Sequence, residues 1–130
     1  MAPHHARLHA ARGWAVGNND HDKWIQADLQ STRMVLAIVT QGVSYEDDES
    51  EWVTEYSLSH SNDGITWIDI DGIFVGNWDG SSIQRNELDI PTMTRYVRLY
   101  VVEHYWWPSL RWGIEGYPIP PVSGDSIFLV

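Results

Sequence analysis

Residues 51–67, EWVTEYSLSHSNDGITW, limit the fold of this chain more than any other stretch. Trp52, Thr54, Tyr56, Leu58 and His60 fall on one face of an extended chain, and Val53, Glu55, Ser57 and Ser59 on the other. Ser61-Asn62-Asp63-Gly64 then offers a tight turn, because Asn62 or Asp63 can take left-handed backbone angles and Gly64 closes the reversal. The spacing predicts a second strand from Ile65-Thr66-Trp67. Directly ahead of this hairpin lies Glu46-Asp47-Asp48-Glu49-Ser50-Glu51, too charged to be buried and too short to be a domain. A stiff β hairpin that holds out an acidic loop is a binding geometry.

Composition narrows what could be bound. At 130 residues the chain is one domain, long enough to bury about two thirds of its unfolded surface. Eight Trp and six Tyr against two Phe favour aromatics that sit half in a core and half at a wet rim. A formal net charge of −10 excludes nucleic acid as a natural partner, since phosphate recognition needs a basic field. With no cysteine there is neither a disulfide framework nor a thiolate metal site. No apolar run reaches the ~20 residues a membrane-spanning helix needs. The start, MAPHHARLHAARGW, lacks the apolar core of a secretory signal, so export by that route would require that this be a piece of a longer chain.

Taken in order, His4, His5 and His9 lie in a segment read as a solvated loop; His5 and His9 would share a helix face, but no further ligand accompanies them. Residues 14–22 read as a turn-rich loop. WIQADL (24–29) alternates, and Met34 to Thr40 is a nearly continuous apolar run, predicting a central strand ended by Gln41-Gly42. Asp69-Ile70-Asp71-Gly72 resembles the opening of a calcium loop without its remaining ligands and is expected to be a hairpin turn. Phe74 to Gly80 reads as a Gly/Asn/Asp loop displaying Trp78. Ile83–Ile90 reads as a strand stopped by Pro91. Arg95–Val102 carries Val97, Leu99 and Val101 on one face and Tyr96, Arg98 and Tyr100 on the other. His104 to Pro108 forms an aromatic loop, and a last strand alternates through Leu110, Trp112 and Ile114. From Tyr117 the chain is Pro-rich, a tail or linker. Short strands at even spacing, with no helix pattern and no internal repeat, predict an all-β sandwich or barrel.

The order of these pieces resembles the discoidin domain family, also called coagulation factor V/VIII C-type domains. It is carried by ARLH (6–9), WIQADL, TQG (40–42), WVTEYSLSHSNDGITW, FVGN (74–77), TRYVRLY (94–100) and LRWGIEG (110–116). The resemblance covers about Ala6 to Gly116 and implies an eight-stranded jelly roll with binding loops at one end. It gives residues 1–5 as a stub, 6–117 as the domain and 118–130 as tail or linker. Three departures stand out. The family's opening strands and first binding loop would lie upstream of ARLH, leaving a first strand missing. Its cysteine pair is absent, with Tyr117 in the second position. A Trp that follows the TRYVRLY strand aligns with His104.

By the same resemblance the ligand-binding residues are Trp14, Asn18, Asn19, Asp20, Ser44, Tyr45, Glu46, Asp47, Asp48, His104, Tyr105 and Trp106. Trp14, Trp24, Trp67 and Trp112 also have a plain reading as core residues, whereas Trp78, Trp106 and Trp107 lie in loops where exposure is expected. Anionic membrane is disfavoured: five acids between Glu46 and Glu51 would lose up to about 5 kcal/mol near an anionic surface. Burying one or two ring faces at ~1.5–3 kcal/mol each would barely offset that. A glycan or glycoprotein needs a flat aromatic face with a few Asn, Asp or His groups, which these loops supply. The alternative is a basic protein or peptide, or Ca²⁺, held by the acidic loop in a protein-interaction or matrix module. No carboxylate pair, nucleophile elbow or ligand cluster marks a catalytic centre or a metal site, and no cofactor is called for. The expectation is therefore a non-catalytic extracellular adhesion or recognition module.

Overall fold

The computed structural model describes residues 14–15, 23–45, 49–119 and 127–128. Every regular element among them is a strand: β1 (Trp14–Ala15), β2 (Trp24–Gln41), β3 (Val43–Ser44), β4 (Ser50–Ser61), β5 (Ile68–Val75), β6 (Ile83–Tyr105), β7 (Ser109–Pro118) and β8 (Ile127–Phe128). The order across the sheet is β1-β7-β2-β6-β4-β3, with β5 on β4 and β8 on β7, and all pairs are antiparallel. This is the jelly-roll β-sandwich expected from the sequence.

Two long strands make the sandwich by passing from one layer to the other. Among the described residues the first half of β2 pairs only with the second half of β6 (Trp24↔Tyr100 to Asp28↔Tyr96), and β6 there also pairs with β4. The second half of β2 lies between the first half of β6 and β7 (Thr40↔Gln84 and Thr40↔Trp112). WIQADL and Met34–Thr40 are thus one strand rather than two. The bend falls at Gln30, whose φ of 73° marks the irregularity between Asp28 and Arg33. Arg95 clamps the bend, its Nε and Nη2 donating to the two Asp28 carboxylate oxygens at 2.9 and 3.1 Å. Between the layers Ile25, Tyr56, Leu58, Leu99, Trp112 and Ile114 form the centre of one apolar core.

Four readings are corrected by long-range pairing. Strand β6 does not stop at Pro91; it resumes against β2 at Thr92, with Leu88–Pro91 looped out where a missing N–H is harmless. Asp69–Gly72 is not a hairpin turn but lies within β5, where Gly72 at φ 102° lets the strand bulge. Phe74 and Val75 also belong to β5. Beyond the 62–66 turn, the returning strand begins at Ile68 rather than Ile65.

Trp24 and Trp67 are half-buried on the outer face instead of in the core. The Arg98 guanidinium lies 4.1 Å from the Trp24 ring and 3.9 Å from the Trp67 ring, while its Nε donates to Gln26 at 3.0 Å. The indoles are the two sides of a sandwich filled by Arg98, which needs an open sheet face rather than an interior. Trp112 is in the core as expected.

Candidate functional site

The site is built at the end of β4 that begins with Ser50. Pairing with β6 shifts register twice between Val53 and Tyr56, so the inward face changes parity. Val53 turns into the core with Tyr56 and Leu58, and Trp52 turns out. There Trp52 stacks on Tyr105, centroids 4.3 Å apart and planes 15° off parallel. The pair forms a flat aromatic step beside the β6–β7 turn.

That turn is tight and strained. The Ser109 N–H donates to the Trp107 carbonyl at 2.8 Å, Pro108 is buried, and Trp106 takes a φ of 63°. A non-glycine residue in this region carries a steric penalty. Trp106 nevertheless leaves 63% of its surface exposed, next to Tyr105 at 50% and Trp107 at 42%. His104 points the other way: its Nδ1 is buried without a hydrogen-bond partner, and burial first, then the Lys23 charge, hold the imidazole below its usual range.

The acidic connection is fastened to this turn. Tyr45 N–H donates to the Glu49 carbonyl at 2.9 Å, and the Ser44 and Ser50 hydroxyls are 3.2 Å apart. One oxygen of Glu51 accepts from the Tyr45 hydroxyl at 2.9 Å and from Ser109 at 3.0 Å, tying the loop to the start of β7. Burial, then the Glu51 carboxylate, pushes the Tyr45 phenol up, so it remains a donor. Beneath, Gly42 packs where an added Cβ would meet the Asp79 and Glu51 carbonyls, and Arg111 donates to the Gly42 and Gly80 carbonyls at 2.8 and 3.1 Å. Gly80 belongs to the 76–82 loop, held by Asn77 Nδ2 donating to Thr40 and Ser82 carbonyls at 3.0 and 2.9 Å. This loop therefore adjoins Ser44 and shows Trp78, 58% exposed, at the same end.

Of the expected site residues, Ser44, Tyr45, Tyr105 and Trp106 are exposed at this end, with half-buried His104 behind them. Trp14 lies in β1, where its backbone pairs with Leu110 and Ala15 pairs with Ser109 beside the strained turn. Asn18, Asn19, Asp20, Glu46, Asp47 and Asp48 lie outside the described residues, as do His4, His5 and His9. The expected ligand-binding set omitted Trp52, Glu51, Ser109 and Trp78. Two of these had a local signal: Glu51 as the last acid of the acidic run, and Trp78 as an aromatic in a Gly/Asn/Asp loop. Among the described residues no group of three His, Asp or Glu side chains could hold a metal.

A sandwich that presents aromatic loops from one end defines a binding module. The comparisons name the family: the F5/8 type C domain profile matches residues 2–114, and the chain belongs to that family. Mouse coagulation factor VIII is 40% identical over 107 residues, 76% of this chain but 5% of that protein. Discoidin II of Dictyostelium discoideum superposes with a TM-score of 0.80 at 24% identity, over 95% of this chain and 53% of that one. A Clostridium perfringens module solved in complex with GalNAc-β-1,3-galactose gives a TM-score of 0.60 at 19% identity, covering 78% of this chain and 73% of that one.

Proposed function

We propose that this domain is a non-catalytic recognition module that binds a glycan, free or on a glycoprotein, across the rim formed by Tyr45, Trp52, Tyr105, Trp106 and Trp78. The observation that carries this reading is Trp106, held at φ 63° with most of its ring in solvent. Strain retained in a residue that adds little to the core is the mark of a presented group. A sugar ring stacks on such a face, and the Tyr45 phenol and Ser44 hydroxyl lie within the same rim to meet its hydroxyls. The sugar-bound Clostridium module, of the same architecture, supports the reading. The small share of factor VIII that the chain spans supports a place within a longer extracellular protein.

A glycan array read with wild type and Trp106→Ala tests it. The expected result is a defined set of bound sugars lost by about tenfold or more in the variant, as removal of one stacked face predicts. Binding to no sugar at millimolar concentration sinks it. Binding of a basic protein that weakens steeply with salt, or binding that vanishes with a chelator, and its loss when Glu46 to Glu49 are neutralised, would transfer the function to the acidic loop and its basic partner or Ca²⁺.

A further inference from the structure

A separate feature lies toward the other end of β4, where the two layers meet edge to edge. There β5 faces the first half of β6, and the seam is only partly closed. Asn86 Nδ2 fastens it at one point, donating to the Val75 carbonyl at 2.7 Å and the Tyr56 hydroxyl at 2.9 Å. Beyond that point both edges bulge. Asp71–Ile73 stand opposite the single Ser57, and Leu88–Pro91 opposite the single Leu36. Between the bulges opens a cleft of about 330 Å³.

Its floor is apolar, made by Ile70, Phe74 and Leu88, which pack on the core. Its mouth carries Asp69, Asp71 and Asp89, all exposed, and no Lys or Arg among the described residues pairs with them. His60 forms one wall, and its Nδ1 is shut off from solvent with no hydrogen-bond partner. His60 lies eight positions along β4 from Trp52, about 26 Å in an extended strand, so the cleft is distinct from the aromatic rim.

We propose that the seam cleft receives a lysine or arginine side chain of a partner protein, its aliphatic stem on Ile70, Phe74 and Leu88 and its cationic head among Asp69, Asp71 and Asp89. Charge complementarity selects this occupant. An anion would be repelled by three uncompensated carboxylates, and a neutral sugar would leave them unpaired. Lys and Arg alone join an apolar stem to a cationic tip. The bulges on both edges break the regular ladder that an added strand would need, so a single side chain enters rather than a length of backbone. The size agrees: the cleft is at the lower end of ligand pockets, which run from ~300 to ~1,000 Å³.

The test is a titration of the ¹⁵N-labelled chain with acetylated, amidated tripeptides bearing a central Arg, Lys or Glu. Amide shifts should centre on His60, Ile70 and Asp89 with the Arg or Lys peptide and be absent with Glu. The triple variant Asp69→Asn, Asp71→Asn, Asp89→Asn should weaken binding at least about tenfold, since three exposed ion pairs, each worth up to about fivefold, are lost together. The control variant Glu55→Gln, Glu87→Gln, Glu103→Gln has the same net charge and leaves the cleft intact; it should bind within about twofold of wild type. Ile90→Lys, at a residue 77% exposed beside the mouth, should block the site without touching the core. Equal losses in the two triple variants, undiminished binding in Ile90→Lys, or shifts confined to Tyr45 and residues 105–107 would overturn the proposal.

Discussion

The turns at the two ends of β4 and its partners solve the same backbone problem in opposite ways. At residues 61–66 the positive φ of 77° falls on Gly64, where it carries no steric penalty. Asp63 Oδ1 accepts from the Ile65 and Thr66 N–H groups at 2.8 Å each, and Ser61 Oγ accepts from Gly64 N–H at 2.9 Å. At residues 105–109 the positive φ falls on Trp106, whose indole is left in water. One turn satisfies its polar groups and displays no aromatic ring, only Ile65, 83% exposed. The other retains strain and displays three aromatic rings. The difference separates a turn that secures the fold from one that presents a surface.

The two ends should unfold as one cooperative unit. Tyr56 lies between them, fully buried, with its ring 5.4 Å from Phe74 and its hydroxyl on Asn86. Tyr56→Ala should cost about 3–5 kcal/mol, and urea unfolding should lose order at both ends in a single transition. Two transitions would mean that the ends fold separately. Next, Gly64→Ala should destabilise by about 1–2 kcal/mol, whereas Trp106→Gly should leave stability unchanged or raise it by up to about 1 kcal/mol while removing the proposed glycan binding. Thermal melts of both variants decide this; a destabilising Trp106→Gly would make that turn structural after all.

The smaller effects concern pH. Backbone hydrogen bonds from Thr66 and Ile65 hold the Asp63 carboxyl below its usual 3.8, so the stability it contributes is present above that value and is lost as pH falls through the folded pKa. Asp63→Asn retains the acceptor and should flatten the decline in urea midpoint below about pH 4. At the rim, His104 is held below 6.5 chiefly by burial, and His60 likewise. The unfolded chain takes up these protons first, so stability should rise with pH through the window just below 6.5. His104→Gln should remove part of that slope and His60→Gln another part, measured by melts between pH 5 and 7.

What could be read from the sequence follows from how far each signal reaches. The Ser61–Gly64 turn, the buried run ending at Gln41, and the alternation of Val97, Leu99 and Val101 are set by neighbours within a few residues, and they stand in the structure. The outward turn of Trp52 was hidden because the parity change arises from register against β6, about fifty residues away. Asp69–Gly72 was misplaced because a bulge in an edge strand uses the same Asp and Gly chemistry as a hairpin turn. Four expected rim residues, Ser44, Tyr45, Tyr105 and Trp106, were visible through the family resemblance, and the structure gathers them at one end. Ser109 carries no signal alone, and Glu51 only that of an acidic run; the bond between them exists only where two distant strands meet.

The clamp under the acidic connection has an engineering consequence. Gly42 admits no side chain, Arg111 holds two carbonyls below it, and the Tyr45–Glu49 backbone bond and the Ser44–Ser50 contact close the loop above. A loop held at both of its ends in this way tolerates insertion with little strain passed to the strands, because loop closure becomes only slowly more costly with length. The clamp thus isolates the strands from whatever chain joins Tyr45 to Glu49.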